Sequence, residues 1–241
     1  LGARARSEEL GDAIYYEMLE TLFGKENRQL ELRSCFRYDI AISHLSETGE
    51  PRRRSDAYYQ LKTHVEYKKT IRSDTFMIGC ASDRAQLEAL IEDEHCEYRW
   101  ILGGDALLPE RDFTVEAMRI DGEDVPVIEA RKTARGYEVW FGSDQFKSRI
   151  NREVKIEIEI LTKKARGNRT FPVYLLYPTR GLDINFHYED AGLKNVRAES
   201  FFSGRHPRAD IAACRGKSIS IKIPPAEWVF PTSGVIFIWD V

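Results

Sequence analysis

Asp39, Gln60 and Lys62 have the types and spacing of a metal-assisted hydrolytic site. A carboxylate and an amide oxygen on adjacent strands can hold a divalent cation. A lysine two residues past the amide shares its strand face and can assist an attacking water. Glu17 or Glu20, on a preceding segment, supplies a further acid. The other candidate chemistry is anion binding. Residues 151–241 carry 14 Lys+Arg against 10 Asp+Glu, a balance of +4, which leaves −7 for the rest of a chain of net charge −3. Arg180, Arg205, His206, Arg208, Arg215 and Lys217 fall in turns of this segment. With strands alternating in direction, those turns share one end, and Tyr177 or Phe202 lies near for stacking. Such an end suits a nucleotide or a short single-stranded oligonucleotide.

The hydrolytic trio depends on a long hairpin, Leu30 to Ile71. Leu32, Phe36, Tyr38, Ile40 and Ile42 share one parity, as do Leu61, Val65, Tyr67 and Ile71 on the second arm. Period-two alternation marks a strand with one buried face. The opposite face carries Arg33, Arg37, Asp39, Gln60, Lys62, His64 and Glu66. For the apolar faces to coincide, facing residue numbers sum to 103, which pairs Leu32 with Ile71, Phe36 with Tyr67 and Tyr38 with Val65. The same register sets Arg37 against Glu66 and Asp39 against His64. Such cross-strand pairs stabilise a sheet by roughly 0.2–1 kcal/mol each and account for the polar face without catalysis.

Asp39 with Gln60-x-Lys62 resembles the core of PD-(D/E)xK nucleases, and the resemblance implies metal-dependent cleavage of nucleic acid. The helix expected directly after the lysine strand of that core is missing, because alternation runs on to Ile71. The nuclease therefore stands as the alternative reading.

The remaining elements set the architecture. Ser7 caps a helix from Glu8 to Phe23 with an apolar stripe at Leu10, Ile14, Met18 and Leu22. Phe76–Cys80, a helix over Arg84–Glu92 and Tyr98–Leu102 read as strand, helix, strand. From Phe113 onward only strands are expected, with turns at Asp121-Gly122 and Arg135-Gly136 and clean alternation at 154–161, 182–188 and 219–223. The expected fold is α+β: an N-terminal α+β unit over residues 1–104, then an antiparallel β-sandwich over 105–241, with the boundary at Gly103-Gly104-Asp105.

Composition narrows the classes. The net charge of −3 excludes a wholesale nucleic-acid-like basic excess. Four scattered cysteines argue for a reducing, cytoplasmic setting rather than a disulfide framework. No CxxC or HxxxH spacing exists, so no metal is expected, and without a P-loop or G-x-G-x-x-G no cofactor is expected either. The leading expectation is a non-catalytic binding or sensor module for an anionic ligand; a structural protein-interaction subunit is a further alternative. The layout of helix, hairpin and β-rich half resembles the cytosolic sensor halves of bacterial antiphage membrane effectors. That resemblance implies a membrane anchor or partner domain before Leu1, a nucleotide or oligonucleotide ligand, and a homo-oligomer.

Overall fold

The computed structural model describes residues 31–46, 54–103, 107–202, 210–214 and 216–240. The expected helix Glu8–Phe23, with Glu17 and Glu20, lies outside the described residues.

The hairpin forms as its alternation predicts. Strand β1 (Arg33–Ser46) runs antiparallel to β2 (Arg54–Thr70), and from Arg37↔Glu66 to His44↔Tyr59 the facing numbers sum to 103. Tyr38, Ile40 and Ile42 are buried there with Leu61 and Val65. Toward the start of β1 the register slips by one: Ser34 faces Lys68, and Cys35 has a left-handed φ of 53°. One inserted residue reverses the inward–outward order of everything before it. Arg33, expected on the outer face, is consequently buried, and Leu32, expected inside opposite Ile71, is exposed.

The hairpin is the middle of a larger sheet. On one flank β2 pairs with β9 (Glu153–Ala165), which pairs with β5 (Phe113–Ile120) and then β6 (Glu123–Asp124). On the other, β1 pairs with β11 (Thr179–His187), followed by β14 (Ser218–Val229) and β13 (Asp210–Cys214). The eight strands run β13-β14-β11-β1-β2-β9-β5-β6. The β1·β11 pairing is parallel, so the sheet is mixed rather than antiparallel throughout. It also takes strands from both sides of residue 104, so the expected boundary does not separate one sheet from another.

Two smaller sheets complete the β-rich fold. One is β10 (Thr170–Leu175), β15 (Ser233–Asp240) and β12 (Lys194–Phe201), in that order. The other is ordered β4 (Cys96–Ile101), β3 (Thr75–Ala81), β8 (Gly136–Gly142) and β7 (Val127–Thr133). Helix α1 (Arg84–Ile91) connects the parallel pair β3 and β4, as the strand–helix–strand reading anticipated, and Asp83 caps it by accepting from the Gln86 N–H at 2.8 Å. Aromatic side chains join the layers. Phe186 of β11 stacks on Phe237 of β15 at 4.5 Å between ring centroids, and Trp100 of β4 meets Phe171 of β10 at 5.7 Å. At the expected tight turn, Asp121 and Gly122 both take positive φ, 53° and 83°.

Candidate functional site

The structure brings Asp39, Gln60 and Lys62 onto one outer sheet face, as their parity requires, but Asp39 and Lys62 are each engaged elsewhere. Asp39 faces His64; its Oδ2 accepts from Arg37 Nε at 2.7 Å and its Oδ1 from Asn185 Nδ2 at 2.8 Å. Lys62 Nζ lies 3.2 Å from Glu116 and 3.7 Å from Glu159. Farther along this face, ligand atoms of His64, Glu66 and Glu157 fall within 4.8 Å of one another, the spacing of a small metal site. Lys155 Nζ already sits 2.7 Å from Glu157 and 3.6 Å from Glu66 and offsets part of their charge. The face is a lattice of cross-strand charge pairs.

The expected basic end is only partly within view. Arg205, His206, Arg208 and Arg215 lie outside the described residues. Arg180 and Lys217 are described, and they stand at opposite ends of one strand pair. Arg180 is the second residue of β11 and faces Trp228, whereas Lys217 precedes β14, whose first residue faces His187. Seven residues of extended strand separate the two ends, roughly 23 Å. The strand between 194 and 201 leaves for the three-stranded sheet, which breaks the simple alternation on which the grouping relied. Tyr177, expected to stack on a ligand there, instead covers the Arg33 guanidinium, with the Arg33 carbon 4.3 Å from its ring centroid.

The concave site lies inside. A cavity of about 480 Å³ opens between the inner face of β1, β2 and β9 and the elements β4, α1 and β10. One wall is a chain of aromatic rings. Phe36 stacks on Tyr38 at 6.1 Å, Tyr38 on Tyr98 at 6.3 Å, Tyr98 on Trp100 at 6.4 Å, and Trp100 meets Phe171. The Tyr38 and Tyr98 hydroxyls hydrogen-bond to each other. Burial raises the Tyr38 pKa, which keeps that hydroxyl protonated.

Four cations among the described residues line this cavity, and they fall into two kinds. Arg33 and Lys163 are paired. Lys163 lies 2.7 Å from buried Asp112. Arg33 lies between the rings of Tyr67 and Tyr177, with Nε 2.7 Å from Glu31. Lys69 joins the Arg33 cluster, with Nζ at 2.7 Å from both Glu31 and Glu97. Burial alone would raise the Glu31 carboxyl, but Arg33 and Lys69 outweigh it and hold its pKa at about 2.

Arg99 and Lys164 are the other kind. Arg99 Nη2 donates to the Tyr177 hydroxyl at 3.0 Å, while its Nη1 is buried with no hydrogen-bond partner among the described residues. Lys164 is 9% exposed, and burial is the one influence on its charge, with no carboxylate partner among the described residues. Its Nζ sits above Trp239 at 5.5 Å and Phe171 at 5.8 Å. Burial pushes its pKa down to about 8. Of the described residues lining the cavity, none is a histidine, serine or cysteine, and the one acid, Glu97, is held by Lys69 and by the Tyr67 hydroxyl at 2.8 Å. The arrangement can bind an anion with an apolar body, and its lining presents no free acid or base beside that anion other than Lys164 itself.

Lys164 was legible in principle. Val154, Ile156, Ile158 and Ile160 point inward, and two further steps of the same period reach Thr162 and Lys164. The alternation expected at 154–161 stops one step short of Thr162 and two short of Lys164. Arg99 gave no such signal, because Tyr98–Leu102 shows no alternation.

No protein-family model matches the chain, and no curated protein sequence matches it. Among solved structures it is similar to the M1 zinc metallopeptidase from Deinococcus radiodurans, at 9% identity and a TM-score of 0.41, over 90% of this chain and 44% of that one. It is also similar to native yeast LTA4 hydrolase, at 10% identity and a TM-score of 0.40, over 85% of this chain and 28% of that one. The chain thus spans less than half the length of either structure. At these scores the likeness assigns neither activity nor ligand.

Proposed function

We propose that this protein is a non-catalytic binding module for a small amphipathic anion, held in the aromatic cavity with its charged group toward Arg99 and Lys164. The observation that carries this is a pair of cavity cations without a counter-charge among the described residues, Lys164 buried and Arg99 half-buried with its Nη1 buried and unbonded. A charge removed from water is costly unless it is paired, and a ligand carboxylate supplies the missing partner. The rings from Phe36 to Phe171 supply apolar surface for the rest of the ligand. The sensor class expected from the sequence is retained, and the binding surface moves from the basic turns to the cavity.

Calorimetric titration with 2-naphthoate and its neutral amide tests the reading. The carboxylate is expected to bind at least tenfold tighter than the amide, and Arg99→Gln to remove most of that difference, as for a buried charged hydrogen bond. Equal affinities for the acid and the amide, or an unaltered preference in Arg99→Gln, would overturn it.

A further inference from the structure

Arg99 and Lys164 are not equivalent as anion holders. A guanidinium stays charged at any pH a protein experiences, whereas a buried amine can give up its proton and become a nucleophile. Lys164 projects from the inward row of β9 among Val154, Ile156, Ile158, Ile160 and Thr162, a row otherwise without charge. It meets the cavity over two aromatic rings and has no acid to hold its proton among the described residues. A lysine kept only for its charge gains most where a carboxylate or water supports the ammonium. Here burial among the apolar row and rings weakens the ammonium and brings its pKa to about 8, so near neutral pH a far larger share of Lys164 is the neutral amine than at an exposed lysine.

We infer that the cavity captures a carbonyl compound, an apolar aldehyde or oxo acid, as a reversible imine on Lys164 while Arg99 holds the ligand's carboxylate. The inference rests on the binding reading above and narrows its ligand class. The lone pair of the neutral Nζ attacks the carbonyl carbon. The carbonyl oxygen takes up the two amine protons and leaves as water, and a C=N bond replaces the C=O bond. Nothing is oxidised or reduced, and hydrolysis returns both partners. The neutral imine also removes an unpaired charge from an apolar site, so the same burial that weakens the ammonium favours the adduct.

Two aromatic acids of similar size separate the imine from simple anion binding. The whole chain is incubated with 4-formylbenzoate and sodium cyanoborohydride, and the reduced adduct is located by peptide mass mapping. In parallel, 4-methylbenzoate, which cannot form an imine, is titrated by calorimetry. The expected result is that 4-methylbenzoate binds and protects, while 4-formylbenzoate labels Lys164 roughly tenfold or more faster than exposed Lys62 and Lys222 at neutral pH. Lys164→Arg is expected to abolish that label without raising labelling elsewhere. If 4-methylbenzoate binds but Lys164 reacts no faster than the exposed lysines, the imine is wrong and the anion site stands. If 4-methylbenzoate does not bind and labelling is spread over the surface, the anion site falls and the imine with it.

Discussion

The unpaired ammonium of Lys164 costs stability by an amount that depends on pH. Its folded pKa of about 8 lies below that of an exposed lysine, so above pH 8 the unfolded chain binds more protons than the folded one. The penalty is therefore full below pH 8 and fades as pH rises toward the ordinary lysine value near 10.4. Lys164→Met is expected to raise stability by roughly 2–4 kcal/mol at pH 7, with the gain shrinking between about pH 8 and 10.5. Denaturant midpoints of wild type and variant across that range check it, and a loss of stability at pH 7 would refute it. The neighbouring cluster behaves oppositely, because its charges are matched. Glu97 lies buried against Lys69 and Arg33, and Glu97→Ala leaves these two cations to share the single carboxylate of Glu31; a loss of roughly 3–5 kcal/mol is expected. Glu31 is held at about 2, so its share of stability is present above the ordinary carboxylate range and is lost as pH falls from about 4.5 toward 2. An acid titration of Glu31→Gln is expected to be flatter than that of the wild type over that interval. A buried cation is also where sequence reading fails first. Nothing in Arg33 or Lys164 distinguishes it from a solvated residue until a strand's phase is known to its last residue.

At the scale of elements, phase is set by one residue. Alternation in Tyr38–Ile42 and Leu61–Tyr67 was enough to give the hairpin register and its polar pairs, because a slip of one would turn every apolar side chain outward. The strand–helix–strand of β3, α1 and β4 was equally legible, since Asp83 marks the helix start and Leu90 packs inward with Leu87 half-buried beside it, although Ile91 is exposed. The bulge at Cys35 was not legible, because an inserted residue leaves no mark on composition and its left-handed φ is unusual for cysteine. That bulge turns Arg33 inward between Tyr67 and Tyr177, and so helps to build the charged floor of the cavity. Cys35 is exposed, which isolates the backbone effect. Cys35→Gly is expected to stabilise by roughly 0.5–1 kcal/mol, and Cys35→Val to destabilise by about 1–2 kcal/mol. Urea unfolding of the two variants checks both signs. Equal stabilities would mean that the left-handed angle carries no strain.

At the scale of the whole molecule, sequence order and spatial order diverge. The Gly103-Gly104-Asp105 stretch suggested two units in series; strands dominate beyond it, but not alone, since short helical turns stand at Pro109–Asp112, Asp144–Arg149 and Glu189–Ala191. Yet β1 and β2 lie between β11 and β9, strands contributed after residue 104. Sequence alone could not show this, because the β1·β11 pairing joins segments about 150 residues apart and leaves no local pattern. Removing residues 1–104 would take the two middle strands out of the eight-stranded sheet. β11 and β9 would each present a raw edge, and the inward faces of Ile156, Ile158, Ile184 and Phe186 would lose their neighbours. Backbone groups left unpaired in this way, together with exposed apolar strands, favour association over folding. The fragment 105–241 is therefore expected to show no cooperative thermal transition and to aggregate, whereas the full chain melts in a single transition. Co-expression of 1–104 with 105–241 is expected to restore a soluble complex, since every sheet contact can form without the peptide bond at 104. Scanning calorimetry and gel filtration read both outcomes. An independently folded 105–241, with the full chain melting in two steps, would show that the long sheet is two stable units laid edge to edge, and the cavity built on β1, β4 and β9 would then lie at their junction.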